Sequence, residues 1–347
     1  MGLNPVVEWL LTTAMVASLN AGEQQPRAGA NPLRFEFEET HMASPFKIIL
    51  YSNDEASARR ASRAAYDRIA ALNTILSDYD PESELSRLAR TAGGPPTLVS
   101  TDLFDVLQRS KAIYDKSSGA FDVTIAPVGR LWRRARRDRK LPDPARLAEA
   151  RLLVGSNEMM LDPKAKTVQL KRPGMKLDVG GIAKGYAAQA ALDVLKAVGV
   201  PRALVAGAGD IVVGEPPVGE AGWKVAIAPL KPGKSDPHRV LLLTNAAVST
   251  AGDAERYVVI DGHRYSHIIN PATGVGVEDR ASVTVVAADG ATADALETTV
   301  YVLGPERGLK LVDETPGAAA IFVRSTPDGI RTFESSRFKH VPTVAAD

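Results

Sequence analysis

The chain has 347 residues, 45% of them hydrophobic and 24% charged, with 42 Lys and Arg against 41 Asp and Glu. That is the usage of one large globular domain or two ordinary ones, and a net charge of +1 excludes the basic excess that drives non-specific nucleic-acid binding. Cysteine is absent, which excludes disulfides, thiolate nucleophiles, Cys-ligated zinc, iron–sulfur clusters and a lipid-carrying N-terminal Cys.

Trp9 to Leu19 is an apolar stretch too short to span a bilayer, which takes about 20 residues. It has the length of a signal-peptide core, with Ala21 as a small residue at a cleavage position. Residues 1–8 hold no Lys or Arg and include Glu8, so an export signal and a plain N-terminal extension both fit. Gln24 to Pro32 reads as a linker. The expected organisation is therefore a signal-like segment and linker over residues 1–32 and one ordered domain over 33–340.

Phe46 to Tyr51 is expected as a strand. A helix follows from Asp54 to Leu76, where Ala61, Ala65, Ile69, Leu72 and Leu76 recur every three or four residues and make one apolar stripe. Pro81 cannot continue it. A second helix runs from Thr101 to Lys116, with Asp102 in its positive first turn and Gly119 just past its end. Trp132 to Lys140 (WRRARRDRK) is the most basic run; with nothing else basic around it, it reads as the solvated face of a helix rather than a nucleic-acid patch. Met175 to Val179 is expected as a short strand leading into Gly180-Gly181 and an Ala-rich helix that ends near Val198, with Gly199 at its cap.

From Ala203 onward strand signals dominate: Ala203–Ala206, Ile211–Val213, Trp223–Ala228, Val240–Thr244, Tyr257–Ile260, Ala281–Val286 and Ala319–Val323. Asp261-Gly262, between Tyr257–Ile260 and Arg264–Ile269, is a two-residue hairpin signal. One more helix, Thr292 to Leu303, ends at Gly304. Strands follow strands more than they alternate with helices. The expected class is α+β, with mixed or antiparallel sheets and packed helices.

Five segments offer chemistry. In Lys176–Tyr186 (KLDVGGIAKGY) a strand meets a glycine pair and a helix start, where free N–H groups attract an anion and Lys184 adds charge; the same pattern makes a tight helix–sheet turn. Asp294 and Thr298 lie four apart on one helix face and are hard oxygen ligands suited to Mg²⁺, or Asp294 simply serves the first turn of its helix. His267 ends a hairpin strand before the Asn270-Pro271-Ala272-Thr273-Gly274 turn, as an acid or base near neutral pH or as a structural histidine. Gly119-Ala120-Phe121-Asp122 is a small-residue turn followed by an aromatic and a carboxylate, and Val248–Asp253 reads as a polar loop after a strand. Walker A, nucleophile-elbow and H-E-x-x-H patterns are missing.

Taken in order, these segments resemble the ApbE family of flavin transferases. The resemblance runs from about Phe46 to Gly304 and on toward Val323. It is carried by Ser77–Leu88 (SDYDPESELSRL), Gly119–Asp122, Asp178–Tyr186, Ser266–Pro271 with Thr273-Gly274, and Ala293–Leu296 with Thr298. It implies a single α+β catalytic unit with a flavin cleft. The implied reaction moves FMN from FAD, as substrate, to a Ser or Thr hydroxyl of a target flavoprotein, releases AMP and requires Mg²⁺. Some members of the family instead hydrolyse FAD to FMN and AMP, and a protein that only holds flavin is a third reading. The family is typically exported, so a periplasmic or membrane-associated enzyme is expected, its acceptor an exported flavoprotein or a membrane redox subunit.

By motif, the resemblance implies flavin or adenine contacts for Met42, Tyr79, Ala120, Phe121, Asp122, Lys184 and Ile269. It implies backbone oxygens of Gly181 or Ala183 and the side chains of Asp294 and Thr298 as metal ligands. His267 or Asp253 is the expected base for the incoming hydroxyl. Three positions depart from the family's pattern: Ala208 within Gly207–Asp210, Ala251 where Ser is common, and Asn270 where Asp is common.

Overall fold

The computed structural model describes residues 31–227, 230, 239–252 and 257–344. Eight strands make the central sheet: β1 Leu33–His41, β2 Ser44–Ser52, β3 Ala203–Gly207, β4 Asp210–Val213, β5 Ala246–Gly252, β6 Ala281–Ala287, β7 Ala319–Thr326 and β8 Gly329–Glu334. They lie side by side in that order, and each neighbouring pair is antiparallel. The helices are α1 Glu55–Leu76, α2 Glu84–Arg90, α3 Thr101–Ser117, α4 Ala126–Asp138, α5 Pro144–Arg151, α6 Ala183–Ala197 and α7 Gly290–Asp313. All but α7 fall in the single excursion between β2 and β3. The α+β expectation holds.

The sheet is buried on both faces, and the period of two decides which residue goes where. Ile48 and Leu50 of β2 join Ala203 and Val205 of β3 in a core built with α1 and α6. Leu204, Val213, Val248, Val286 and Ile321 point the other way, onto a small sheet of Trp223–Ala226, Val240–Leu243 and Thr343–Val344. The α1 stripe forms as its spacing predicts: Ala61, Ala65, Ile69, Leu72 and Leu76 are all buried. Asp54 caps that helix by accepting from the Ser57 N–H at 2.7 Å. Helix α7 breaks at Gly304 (φ 75, ψ 175), and Pro305 opens its second half.

Two expected elements differ. Met175–Val179 pairs with no strand among the described residues; its one backbone bond to a distant segment runs from the Asp178 N–H to the Val123 carbonyl at 2.7 Å. Met175, Leu177 and Val179 are buried and alternate with half-buried Lys176 and Asp178, so packing alone reproduces a strand's alternation. Val248–Gly252, expected as a loop, belongs to central strand β5. Its polar residues are paired inside the sheet: Ser249 donates to Asp210 at 2.7 Å, and the Thr250 and Thr284 hydroxyls meet at 2.9 Å. The Asp261-Gly262 hairpin forms as expected, joining Tyr257–Ile260 to His263–Ser266, with both turn residues at positive φ.

Candidate active site

One cavity of about 620 Å³ collects every described residue to which a site role was given by sequence: Met42, Tyr79, Ala120, Phe121, Asp122, Gly181, Ala183, Lys184, His267, Ile269, Asp294 and Thr298. A volume of this order suits a small molecule or cofactor. Asp253 lies outside the described residues.

The wall that carries Asp294 depends on two glycines. A Cβ on Gly185 would fall 2.1 Å from the Gly290 carbonyl oxygen, and a Cβ on Gly290 would fall 2.2 Å from that of Gly185. Helices α6 and α7 therefore cross backbone against backbone at their N-terminal ends. This puts Asp294 Oδ2 2.9 Å from the Gly185 N–H. The N–H groups expected to await a ligand anion are already served, because Ala183 N donates to the Val179 carbonyl and Gly185 N to Asp294. The acceptor at this helix start is the protein's own Asp294 carboxyl group.

Asp294 is 2% exposed and Glu297 6%. Burial, then the neighbouring Asp210 charge, pushes the Asp294 carboxyl up to about 7; Lys184 and the α6 N–H groups pull against them. Burial, then Asp294 and Asp210, raises Glu297 well above the usual carboxylate range. Lys184 is the cation among these acids, its Nζ 3.9 Å from Asp210. Glu297 Oε2 is buried with no hydrogen-bond partner, while Oε1 accepts from the Thr298 hydroxyl at 3.3 Å. Thr298 in turn lies against Gly181, whose Cβ would sit 3.2 Å from its Oγ1 and 3.2 Å from the Phe121 ring.

An orphaned carboxylate oxygen, a second buried carboxylate, a hydroxyl and nearby main-chain oxygens are hard donors with excess negative charge. They fit a divalent cation of the Mg²⁺ type. Among the described residues no group of three His, Asp or Glu side chains has metal-holding geometry, so main-chain and hydroxyl oxygens would have to complete the set.

The remaining walls are set by turns. Met42 (φ 49) and Ala43 (φ 56) form the two-residue β1–β2 turn, where glycine or asparagine is usual. Asp122 is buried and fully engaged: its Oδ1 accepts from the Thr124 N–H and hydroxyl and from the Ser156 hydroxyl, and its Oδ2 from the Ser156 N–H. Its carboxylate ties this segment to Thr124 and Ser156 and does not reach freely into the cavity, while the Ala120-Phe121 turn is held by Ser117 through the Phe121 N–H at 3.2 Å. His267 follows the strand His263–Ser266, and Ser266 is held by an N–H bond to the Val277 carbonyl at 2.9 Å. The turn beyond Ile269 is tied to α4, because Trp132 Nε1 donates to the Gly274 carbonyl at 2.7 Å.

The basic run does more than face solvent. In α4, Trp132 and Ala135 are buried, while Gly129, Arg133 and Arg136 line the cavity. Arg133 Nη2 donates to Asp78 and, at 2.8 Å, to Asp178. Burial, then the Asp178 charge, raises the Asp78 carboxyl. Sequence reasoning assigned no site role to Asp78, Arg133, Asp178, Asp210 or Glu297. The signals were present as Glu297 three residues after Asp294 and Arg133 four after Gly129.

Residues 42–322 match the ApbE family. The chain is 31% identical over 299 residues to an FAD:protein FMN transferase of Klebsiella pneumoniae, covering 85% of this chain and 90% of that one. It is 31% identical over 292 residues to one from Treponema pallidum, covering 80% and 81%. The fold is similar to the flavin transferase ApbE from Vibrio cholerae, with a TM-score of 0.81, 26% identity and coverage of 90% of this chain and 100% of that one. For the Pseudomonas stutzeri flavinyl transferase ApbE in its apo form the TM-score is 0.80, at 28% identity and coverage of 90% and 98%.

Proposed function

This chain belongs to the ApbE family, and from that premise we propose that it is an FAD:protein FMN transferase, with FAD as substrate and a second protein as acceptor. In the finer reading the acceptor atom is a Ser or Thr hydroxyl oxygen. That oxygen bonds to the FMN phosphorus, the bond from this phosphorus to the bridging pyrophosphate oxygen breaks, and AMP leaves with that oxygen. The hydroxyl proton passes to a base.

The observation that carries the proposal is the convergence of six separated segments, around Met42, Tyr79, Phe121, Gly181, His267 and Asp294, on one cavity. Asp294 and Thr298, with main-chain oxygens of Gly181 and Ala183, are the proposed holders of Mg²⁺, and the orphaned Glu297 oxygen beside them supports that choice. A bound Mg²⁺ supplies charge neutralisation at the phosphate oxygens. The chain's own residues do the rest. Tyr79, Met42 and Ile269 flank the flavin; Ala120 and Phe121 meet the adenine side, beside Asp122, whose carboxylate is tied to Thr124 and Ser156. Lys184 adds positive charge near the pyrophosphate. His267 takes the proton, with Asp253 as the other candidate. Positioning of the two reactants supplies most of the rate in such a reaction. Export belongs to the same proposal, supported by the family's habit and the apolar stretch from Trp9 to Leu19, and makes the acceptor an exported flavoprotein or a membrane redox subunit.

The test is to incubate the protein with FAD, with and without Mg²⁺, follow AMP by chromatography and weigh a candidate acceptor by intact mass. AMP together with an FMN-sized mass gain supports transfer. AMP with free FMN in every acceptor trial would make the protein an FAD pyrophosphatase. Flavin binding without AMP would overturn the catalytic reading.

A further inference from the structure

Tyr79 is 76% exposed, yet it lines the cavity. A ring on a short turn is ordinarily free to rotate, and fixing it on binding costs affinity. Here it is restrained. The Arg133 guanidinium carbon lies 4.4 Å from the Tyr79 ring centroid, within cation–π range. The same guanidinium is pinned by two carboxylates, since its Nη2 carries two N–H groups and gives one to Asp78 and one to Asp178. Asp78 adjoins Tyr79. Asp178 is itself fixed, its Oδ1 accepting from the Gly180 N–H at 2.9 Å. The Tyr79 backbone is held as well, its N–H on the Ser77 hydroxyl at 3.3 Å.

We propose that Arg133 is a positioning residue for the flavin, acting through Tyr79. It ties three elements, α4, the turn after α1 and the Gly180-Gly181 turn, and holds the aromatic ring ready for the isoalloxazine to stack against. The ordering cost of the ring is met on folding rather than on binding. This inference rests on the proposed flavin function. Lysine cannot replace arginine fully, because an ammonium lacks the planar face that covers the ring.

The test is a double-mutant cycle read by direct FAD titration, following flavin fluorescence rather than turnover. The proteins are the full-length wild type, Arg133→Ala, Tyr79→Leu and the double variant. Arg133→Ala should raise the FAD Kd about tenfold, the ordering cost of one side chain plus its cation–π contact. It should also reduce the quenching of bound flavin. In the Tyr79→Leu background the same change should move Kd less than twofold, because the residue through which it acts is gone. Arg133→Lys keeps a charge between the two aspartates and should fall between wild type and Arg133→Ala, so the cycle can be run with lysine if the alanine variant does not fold. An equal rise in both backgrounds, or no rise in either, overturns the proposal. A wild type that binds no FAD overturns the flavin function and this inference together, whereas a wild type that binds FAD with unchanged affinity in Arg133→Ala overturns this inference alone.

Discussion

Gly185 and Gly290 touch through their backbones, and the position of Asp294 follows from that contact. Each glycine lacks a Cβ that would fall little more than 2 Å from the other's carbonyl oxygen. Because α6 and α7 can close to this distance, the Asp294 carboxylate reaches the first turn of α6.

Gly185→Ala should therefore force the helices apart. Overpacking of this kind costs about 1–3 kcal/mol, and the clash here is with backbone, which sets the expected loss at the upper end. Urea denaturation measures it. Wild-type stability in Gly185→Ala would mean that the crossing relaxes without cost.

Asp294→Asn keeps the side-chain volume and removes the charge. At fixed Mg²⁺ the AMP-release rate should fall by roughly 100-fold or more, as expected when a direct ligand rather than an outer partner is changed. A Mg²⁺ titration that matches wild type would remove Asp294 from the ligand set.

The raised Asp294 carboxyl sets a pH dependence whose sign can be worked out. In the unfolded chain an aspartate ionises near 3.9, and in the metal-free fold this one retains its proton up to about 7. Folding thus binds an extra proton between those values, and this contribution lowers stability as pH rises through them. Below about 7 a cation must displace the proton; above it the cation meets a bare buried charge and relieves it. The rise in Tm given by Mg²⁺ should be larger at pH 8 than at pH 5.5, and Asp294→Asn should flatten the difference. An equal rise at both pH values in the wild type would contradict the assignment.

His267→Ala should slow transfer by about 10²–10⁴-fold at saturating FAD and acceptor, the usual worth of a positioned base, with FAD affinity little changed. Full transfer by that variant would leave the proton to another group.

Ala43→Gly should stabilise the protein by about 0.5–1 kcal/mol, because Ala43 sits at φ 56 in a turn that favours glycine. Thermal unfolding measures it. A fall in Tm would mean that the alanine methyl contributes packing that outweighs the backbone strain.

The parts of the fold legible in the sequence are those with a strong local signal. The α1 stripe, the Asp261-Gly262 turn and the stop at Gly304 each rest on residues within a few positions of one another. Strand β5 was hidden because Ser249 and Thr250 look like loop residues until Asp210 and Thr284 are brought beside them. Met175–Val179 deceived in the opposite direction, its alternation arising from packing without a ladder. In the site, the resemblance supplied the grouping, because no spacing tells that Tyr79, Gly181, His267 and Asp294 share a cavity. Arg133 was obscured by its neighbours: in a run of six cations, sequence does not mark the one that turns inward.

The strict order of the sheet has a kinetic consequence. Leu50 of β2 pairs with Ala203 of β3, and the whole of residues 53–202 must be made before that pairing can begin. At a synthesis rate of about 5–20 residues per second, the first hairpin waits on the order of ten to thirty seconds with the β2 edge open. That strand carries Pro45 and Lys47, two residue types that resist pairing with a foreign chain, so the nascent hairpin bears its own protection against aggregation until its partner strand emerges.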